Sequence, residues 1–409
     1  MTINELLGQW THGLRIERQD RAITAIFEQP HTVLGSAMFH SGMRPDLVGV
    51  MNMQTSEATG NSYHPTIMQI KADAAQLAQR FHLEPTQVMT MGTAASMRCY
   101  GLAERWYEDD RCPPVGVIAV ATAGVEGNAG RAGDPTTWVE LDGDYWPRPD
   151  SATMSAHHRT SPTTDDCPPS QGSGTINIMV FLSAPLKPTA FGRAIITATE
   201  AKSAVLTEFA VGSLYSPTPA TGTGTDQIII SAPTEGPHFI SGVGHHVVMG
   251  EMLGQVVMAA VRDALRQQNG MTPMSRCSVL AQLSRFGLNQ ERFITEAAPY
   301  LPDHLLRHLE ENVHAMIHDQ VVVGLSAALA TVADQVRTGI LSHSAGKELA
   351  ARLGTQIAMA VCTDRADGTD IAATMTKIGL DPAVLVPTAV ALGWEQRWDW
   401  EQAKRIDRT

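Results

Sequence analysis

Aromatic side chains are scarce in this sequence, at 5% of 409 residues. Basic charge is short as well: 30 Lys plus Arg stand against 42 Asp plus Glu, for a formal net charge of −12. With no basic patch or tail, general binding to nucleic acid or to an anionic membrane is not expected. No apolar run reaches the roughly 18 residues of a membrane span. A charged-then-apolar leader before a small-residue cleavage site is also missing, so no secretory signal is expected. Cys99, Cys112, Cys167, Cys277 and Cys362 are scattered, odd in number and without a CxxC pair. Structural thiols in a reducing cytoplasm are the expectation. GxGxxG, GxxxxGK[ST], HExxH and GxSxG are all absent. That removes the usual grounds for a dinucleotide site, a P-loop, a zincin or a serine-hydrolase elbow.

What is present is apolar bulk, 43% of residues, enough for sizeable cores in two or three domains. Residues 1–270 hold most of the Gly and Pro, and residues 271–409 read as nearly all helix, with Gly270 as a helix stop between them. The expected architecture is α/β (or α+β), a layered sheet with helices over 1–270, followed by an all-α domain over 271–409. A polar helix is expected near 3–9, then a hairpin from LRIERQD and AITAIF, and strands at VLGSAMF and LVGVMNMQ. Strands are expected at 85–91, 115–124, 175–183 and 226–231, and helices at 65–82, 188–211 and 247–268. The polar, Pro-rich connection 136–172 is long enough to be a functional lid or an insert.

Four segments could carry chemistry. TAGVEGNAGRAGDP (122–135) follows an apolar run and presents Asn128, Arg131 and Asp134. Its glycines admit close backbone approach to a ligand; a plain strand-to-loop corner with Arg131 paired to Asp134 is the alternative. In GTINIMVFLS (174–183), Asn177 is either a core amide bonded to backbone or a group that orients an amide substrate. In AFGRAIITATEAKSAVLTEF (190–209), helical spacing puts Lys202 in the stripe of Phe191, Ala194, Ile195, Ala198, Val205 and Phe209. Glu200 falls on the opposite side, so the two cannot form one dyad. Lys202 must then be buried and paired, or extend its head to solvent. In ATGTGTDQIIIS (220–231), Thr223, Thr225 and Asp226 sit on a glycine-rich entry to a strand, suited to an oxyanion or a carboxamide. After it comes GVGHHVVMGEMLGQVV (242–257), with His245 and His246 before a helix and Glu251 in its first turn.

In this order the segments resemble the adenosylcobinamide amidohydrolase family, over about residues 32–265. TATEAK followed by ATGTGTD is the most telling pair, and TVLGSAMF and MGTAASMRCYG (91–101) extend the likeness weakly upstream. The resemblance implies hydrolysis of the amide that joins the aminopropanol arm to the corrin side chain, giving adenosylcobyric acid in cobamide salvage. It carries over to Asn128, Arg131, Asp134, Asn177, Glu200, Lys202, Asp226, His246 and Glu251. His246, rather than His245, aligns when counted back from Gly250-Glu251. Val247 and Val248 depart from a more polar pattern, and Gly35 stands where a serine is expected. In the mechanism this implies, His246 or Glu251 activates water. Arg131 or Lys202, with backbone amides of 222–225, steadies the oxyanion, and Asn128 and Asn177 hold carboxamides. A divalent metal on His246 with Asp226 or Glu251 stays open. Two other readings remain: a non-catalytic corrinoid-binding protein, and an amidohydrolase of the same fold acting on another large amide-bearing ligand.

Residues 271–409 suggest helices at about 276–286, 290–299, 302–320, 321–340, 345–362, 370–378 and 383–392. His304, His308, Glu311, His314 and His318 share one face of the 302–320 segment, as metal ligands or, more plainly, as a polar face. Trp394, Trp398 and Trp400 read as packing. HDQVVVGLSAALATVADQVRTGIL (318–341) faintly resembles an α-ribazole phosphate phosphatase domain but lacks its acidic clusters, so no activity is carried over. An accessory role, or homo-oligomerisation through this half, is the expectation.

Overall fold

The computed structural model describes residues 5–55, 66–142, 144–147, 174–362 and 368–406. The chain forms two units. The described residues up to 209, with 220–271, make the first; residues 210–219 and those from 272 onward make the second.

In chain order the first unit runs β1 (Glu5–Trp10), β2 (Leu14–Gln19), β3 (Ala22–Gly35), β4 (Gly42–Gln54), α1 (Ile67–Arg80), β5 (Val88–Thr93), β6 (Tyr100–Asp109) and β7 (Cys112–Ala123). It continues with β8 (Ala129–Gly130), β9 (Trp138–Leu141), β10 (Asp144–Pro147), β11 (Ile176–Leu182), α2 (Pro188–Glu208), β12 (Gly222–Thr223), β13 (Gln227–Pro233) and α3 (Val248–Asn269). Nine strands form one curled, mixed sheet in the order β1-β2-β3-β13-β11-β7-β6, with β4 on β3 and β5 on β4. β11/β13 and β4/β5 pair parallel, and the other pairs are antiparallel. The architecture is α+β.

The curl follows from β3. Its first half pairs with β2 and its second half with β13, while β4 runs along its other side with register shifts between Ile26 and Val33. Such irregularities bend a strand and increase its twist. The AITAIF and VLG segments, expected as separate strands, are thus one bent strand. Alternation puts Ile118 and Val120 of β7, Met179 and Phe181 of β11, Ile229 of β13, Val50 of β4 and Met89 and Met91 of β5 into one buried cluster inside the curl. Met51, Met53 and Val88 face the other way and pack on Ala74, Leu77 and Ala78 of α1.

Two expectations are corrected. Residues 3–9 were expected to be helical, but Glu5–Trp10 is an edge strand paired with β2 across a turn in which Gly13 has φ +81°. A short helix is marginal in water, whereas the hairpin satisfies the backbone and lets the Trp10 indole donate to Glu104. β6 was unforeseen beyond its first residues. As an edge strand with Glu104, Arg105 and Trp106 exposed, it shows no apolar alternation to read. The 136–172 connection begins with the β9–β10 hairpin. The rest of it, and Cys167, lie outside the described residues.

His31 is 1% exposed and stacks on Phe27 at 3.9 Å between ring centroids, with Nδ1 donating to the Gln29 carbonyl at 2.9 Å. Burial pulls its pKa from 6.5 to about 4, and burial also lowers that of His12. Between those values the unfolded chain holds a proton that the folded chain does not, so stability is lost as pH falls through this window. The full His31 shift corresponds to about 3 kcal/mol. Thermal melts from pH 7 to 4.5 are expected to show this loss, with a shallower slope in His31→Gln; an unchanged slope would remove His31 as its cause.

The second unit is helical: α4 (Pro273–Arg276), α5 (Val279–Leu283), α6 (Gln290–Ala297), α7 (Asp303–Ile317), α8 (Gln320–Arg337), α9 (His343–Cys362), α10 (Gly368–Ile378) and α11 (Pro382–Ile406). Phe293, Leu309, Leu329, Ile357 and Leu385 are among its fully buried residues. The expected 302–320 helix stops short, because Asp319 accepts the Val321 and Val322 N–H groups and caps α8. No single helix among the described residues is long and apolar enough to cross a membrane.

Candidate active site

The apolar filling of the curled sheet ends in a polar row. Thr122, Asn177 and Gln227 are register partners on β7, β11 and β13, two residues along from Val120, Met179 and Ile229 and therefore on the same inner face. Asn52 of β4 donates to Thr122 Oγ1 at 2.8 Å, and Asn177 donates to Asn52 Oδ1 at 2.8 Å. Asn177 and Gln227 both donate to the Gly92 carbonyl of β5, at 3.0 and 2.9 Å. These bonds join strands that are not sheet neighbours and hold the two limbs of the curl together. Asn177 is fully buried among them, so its first role here is structural.

One residue nearer the strand entrances sits an ion pair. Lys202 lies on the buried side of α2 with Ala198 and Val205, and its ammonium pairs with Asp226, the residue before β13. The side chains are 7% and 11% exposed. Lys202 therefore keeps its head inside. Asp226 Oδ1 also accepts from Ile176 N at 3.0 Å and Thr223 Oγ1 at 2.6 Å, and Oδ2 accepts from Thr223 N at 3.0 Å. A carboxylate so occupied holds its neighbours in place and has little capacity left to act as a base. Gly222 makes the approach possible: a Cβ there would lie 2.4 Å from Asp226 Oδ2 and 2.6 Å from Lys202 Nζ.

The two glycine-rich loops meet beside this pair. Gly222 and Thr223 of β12 pair with Gly130 and Ala129 of β8, and Ala132 N donates to Thr221 Oγ1 at 2.9 Å. Asn128 donates to the Gly174 carbonyl at 3.2 Å and to Thr225 Oγ1 at 3.4 Å, and the Thr175 and Thr225 hydroxyls are 2.7 Å apart. Asp134 accepts from the Arg131 backbone N–H at 2.7 Å, closing the turn. Arg131 is exposed at its edge. Asn128, Thr223, Thr225, Lys202 and Asp226 thus form one connected constellation.

Glu200, His246 and Glu251 lie outside this constellation and are exposed. Glu200 pairs with His245 at 2.8 Å, a partnership that sequence spacing could not reveal across 45 positions. Glu251 Oε1 accepts from Gln255 at 3.1 Å, and His246 stands exposed beside them in the chain. The loop that carries both histidines is pressed onto α3: a Cβ on Gly250 would lie 2.0 Å from the Gly244 carbonyl oxygen. Gly250→Ala must push this backbone aside, at about 1–3 kcal/mol. A lowered melting temperature with displaced His245 and His246 resonances is expected; a wild-type melt would show that the loop is not held there. At Gly35, the position where a serine was expected, a Cβ would sit 2.6 Å from the Met89 sulfur and 2.8 Å from Ile229 Cγ1. This core has no room for a side chain at that position.

Among the described residues no three His, Cys, Asp or Glu side chains gather as metal ligands. Asp226, occupied as above, has little capacity left to join His246 on a divalent ion. On α7, His308 packs against Trp394 and Trp398, with ring centroids 5.2 and 4.1 Å away, and His318 Nδ1 donates to the Cys277 carbonyl at 2.8 Å.

The family model for adenosylcobinamide amidohydrolase matches residues 8–273. An uncharacterized protein of Methanocaldococcus jannaschii is 31% identical over 199 residues, 47% of this chain and 69% of the relative. A solved structure, the PH0078 protein from Pyrococcus horikoshii, aligns with a TM-score of 0.33 and 9% identity, over 65% of this chain and 83% of that one.

Proposed function

The chain belongs to the adenosylcobinamide amidohydrolase family, and from that premise we propose that it hydrolyses the aminopropanol amide of adenosylcobinamide, or of a related cobamide, to adenosylcobyric acid. The catalytic unit is residues 1–270, and residues 271–409 form a helical accessory unit. The observation that carries this reading is the buried Lys202–Asp226 pair between two glycine-rich loops.

Amide hydrolysis adds water to the carbonyl carbon, breaks the C–N bond, leaves a carboxylate on the corrin side chain and releases the amine with a proton. The step needs stabilisation of the oxyanion, a base for water and a proton for the amine. Lys202 is suited to the first task. Asp226 accepts one of its three ammonium hydrogens, leaving donors for an oxyanion. Of the main-chain N–H groups of 222–225, Thr223 and Thr225 already donate to Asp226 and Thr223 Oγ1, and Gly222 lies within the β12–β8 pairing, so Gly224 is the one proposed to assist. Asn128 and Thr225 line the loops as partners for the neutral carboxamides of a corrin ring. His246 or Glu251 is assigned to water.

Incubation with adenosylcobinamide and mass analysis of the products tests the proposal. A corrin product bearing a new carboxylate, together with free aminopropanol, is expected. Tight binding with the corrinoid recovered intact would make the protein a corrinoid binder instead.

A further inference from the structure

The chain passes from α2 to β12 by an excursion, residues 210–219, that belongs to the second unit although both flanking elements belong to the first. The excursion has a closed neck: Gly212 and Pro219 are bridge partners, and Ser213 N donates to the Thr218 carbonyl at 2.8 Å. On the first-unit side, the Ser203 hydroxyl of α2 donates to the Thr221 carbonyl at 2.9 Å. Lys202 precedes Ser203 in the chain, and Asp226 holds the turn that begins at β12. The two members of the ion pair are thus carried by the two limbs that enter and leave this neck. Two arginines of the second unit grip it. Arg285, in the single turn Ser284–Phe286 after α5, donates from Nη1 to the Pro217 carbonyl at 3.0 Å, and both terminal nitrogens donate to the Asp334 carboxylate of α8 at 2.7 Å. Its side chain is 10% exposed. A guanidinium fork held at both prongs keeps one orientation. The fit is close, since a Cβ on Gly212 would lie 2.7 Å from Arg285 Cβ. Arg276 Nη2 donates to the Ala210 carbonyl at 2.9 Å. Ala210 has φ +49°, a left-handed conformation that alanine keeps only where its surroundings impose it.

We propose that the helical unit sets the geometry of the active site, with Arg285 as a positioning residue, an inference that rests on the hydrolysis proposed above. By holding the 210–219 excursion, Arg285 fixes the spacing between the limb that carries Lys202 and the limb that carries Gly224 and Asp226. That spacing matters because the two oxyanion donors assigned above, the Lys202 ammonium and the Gly224 N–H, stand on different limbs. The bonds of Asp226 to Thr223 and Ile176 fix the carboxylate within its own loop. The excursion acts on the spacing between that loop and α2. Donors aimed at a developing oxyanion lose their effect when they are misplaced by a fraction of their bond length. Arg285 itself touches no reacting atom in this scheme.

Two substitutions in the full-length protein test this. Arg285→Lys keeps the charge beside Asp334 but loses the fork that also reaches Pro217. Gly212→Ala keeps Arg285 and forces its backbone away from the neck. The first readout is hydrogen exchange of the Thr223 and Ile176 amides, which donate to Asp226. Both variants are expected to speed their exchange by about tenfold, while β7 amides keep the wild-type rate. The second readout is steady-state turnover of adenosylcobinamide. In both variants kcat is expected to fall by about ten- to a hundredfold with KM little changed, as for a displaced catalytic group. A merely structural role would lower the melting temperature and leave kcat of the folded protein as it was. Faster exchange confined to 210–219 and the second unit, or undiminished kcat in both variants, would overturn the proposal. Failure of the wild-type protein to release amine would instead overturn the hydrolysis reading, and the exchange rates would still decide whether Arg285 governs the Asp226 loop.

Discussion

Lys202→Met is expected to lower turnover of adenosylcobinamide by about 10²–10³-fold, the usual loss when a donor to a developing oxyanion is removed. Methionine preserves the length and apolar stem of the side chain, so packing against Ala198 and Val205 of α2 is disturbed little. What disappears is the ammonium. The variant also leaves Asp226 as a buried carboxylate without its counter-charge, a change that typically costs about 3–5 kcal/mol. Stability and activity must therefore be read separately. The double variant Lys202→Met/Asp226→Asn removes the orphan charge and is expected to recover much of the lost stability without recovering turnover. Full turnover by folded Lys202→Met would exclude Lys202 from catalysis.

The second large effect is expected at the histidines before α3. His246→Ala is expected to reduce turnover by about 10²-fold or more, the ordinary contribution of a general base. His245→Ala should cost far less. The His245–Glu200 pair is half-exposed, at 55% and 51%, and such pairs are worth about 1 kcal/mol at most. A reversal of the two results would transfer the role of base to His245, oriented by Glu200 much as a carboxylate orients a catalytic imidazole. Undiminished turnover in both variants would move the task to Glu251. Measuring the two alanine variants side by side, with melting curves, decides among these outcomes.

The elements that could be read in the sequence are those whose environment repeats along the chain. The apolar runs of β7, β11 and β13, buried on both faces, and the periodic faces of α2 and α3 were visible because burial imposes a local pattern. β6 and β1 were not, since edge strands bury too little of one face to leave a pattern. The same distinction holds at the site. The placement of Lys202 in the apolar stripe of its helix, with Glu200 turned away, follows from helical geometry alone. The burial of Asn177 is likewise a matter of strand alternation, but its partners are not.

Composition and periodicity by themselves determined an α/β or α+β unit followed by helices, a lysine in an apolar helix stripe that had to be paired or reach solvent, and two glycine-rich loops around polar side chains. Only the tertiary structure decided which groups meet. The curl of the sheet brings Asn52 onto Asn177 from 125 residues away and Asn177 onto Gly92, and the crossing of α2 sets Lys202 on Asp226, 24 residues away. Local pattern reports how deep a side chain lies, because depth is repeated at every turn of a helix or every second residue of a strand. It carries no record of what stands opposite, because that depends on bends such as the one in β3, where a register shift in the backbone places two distant strands face to face.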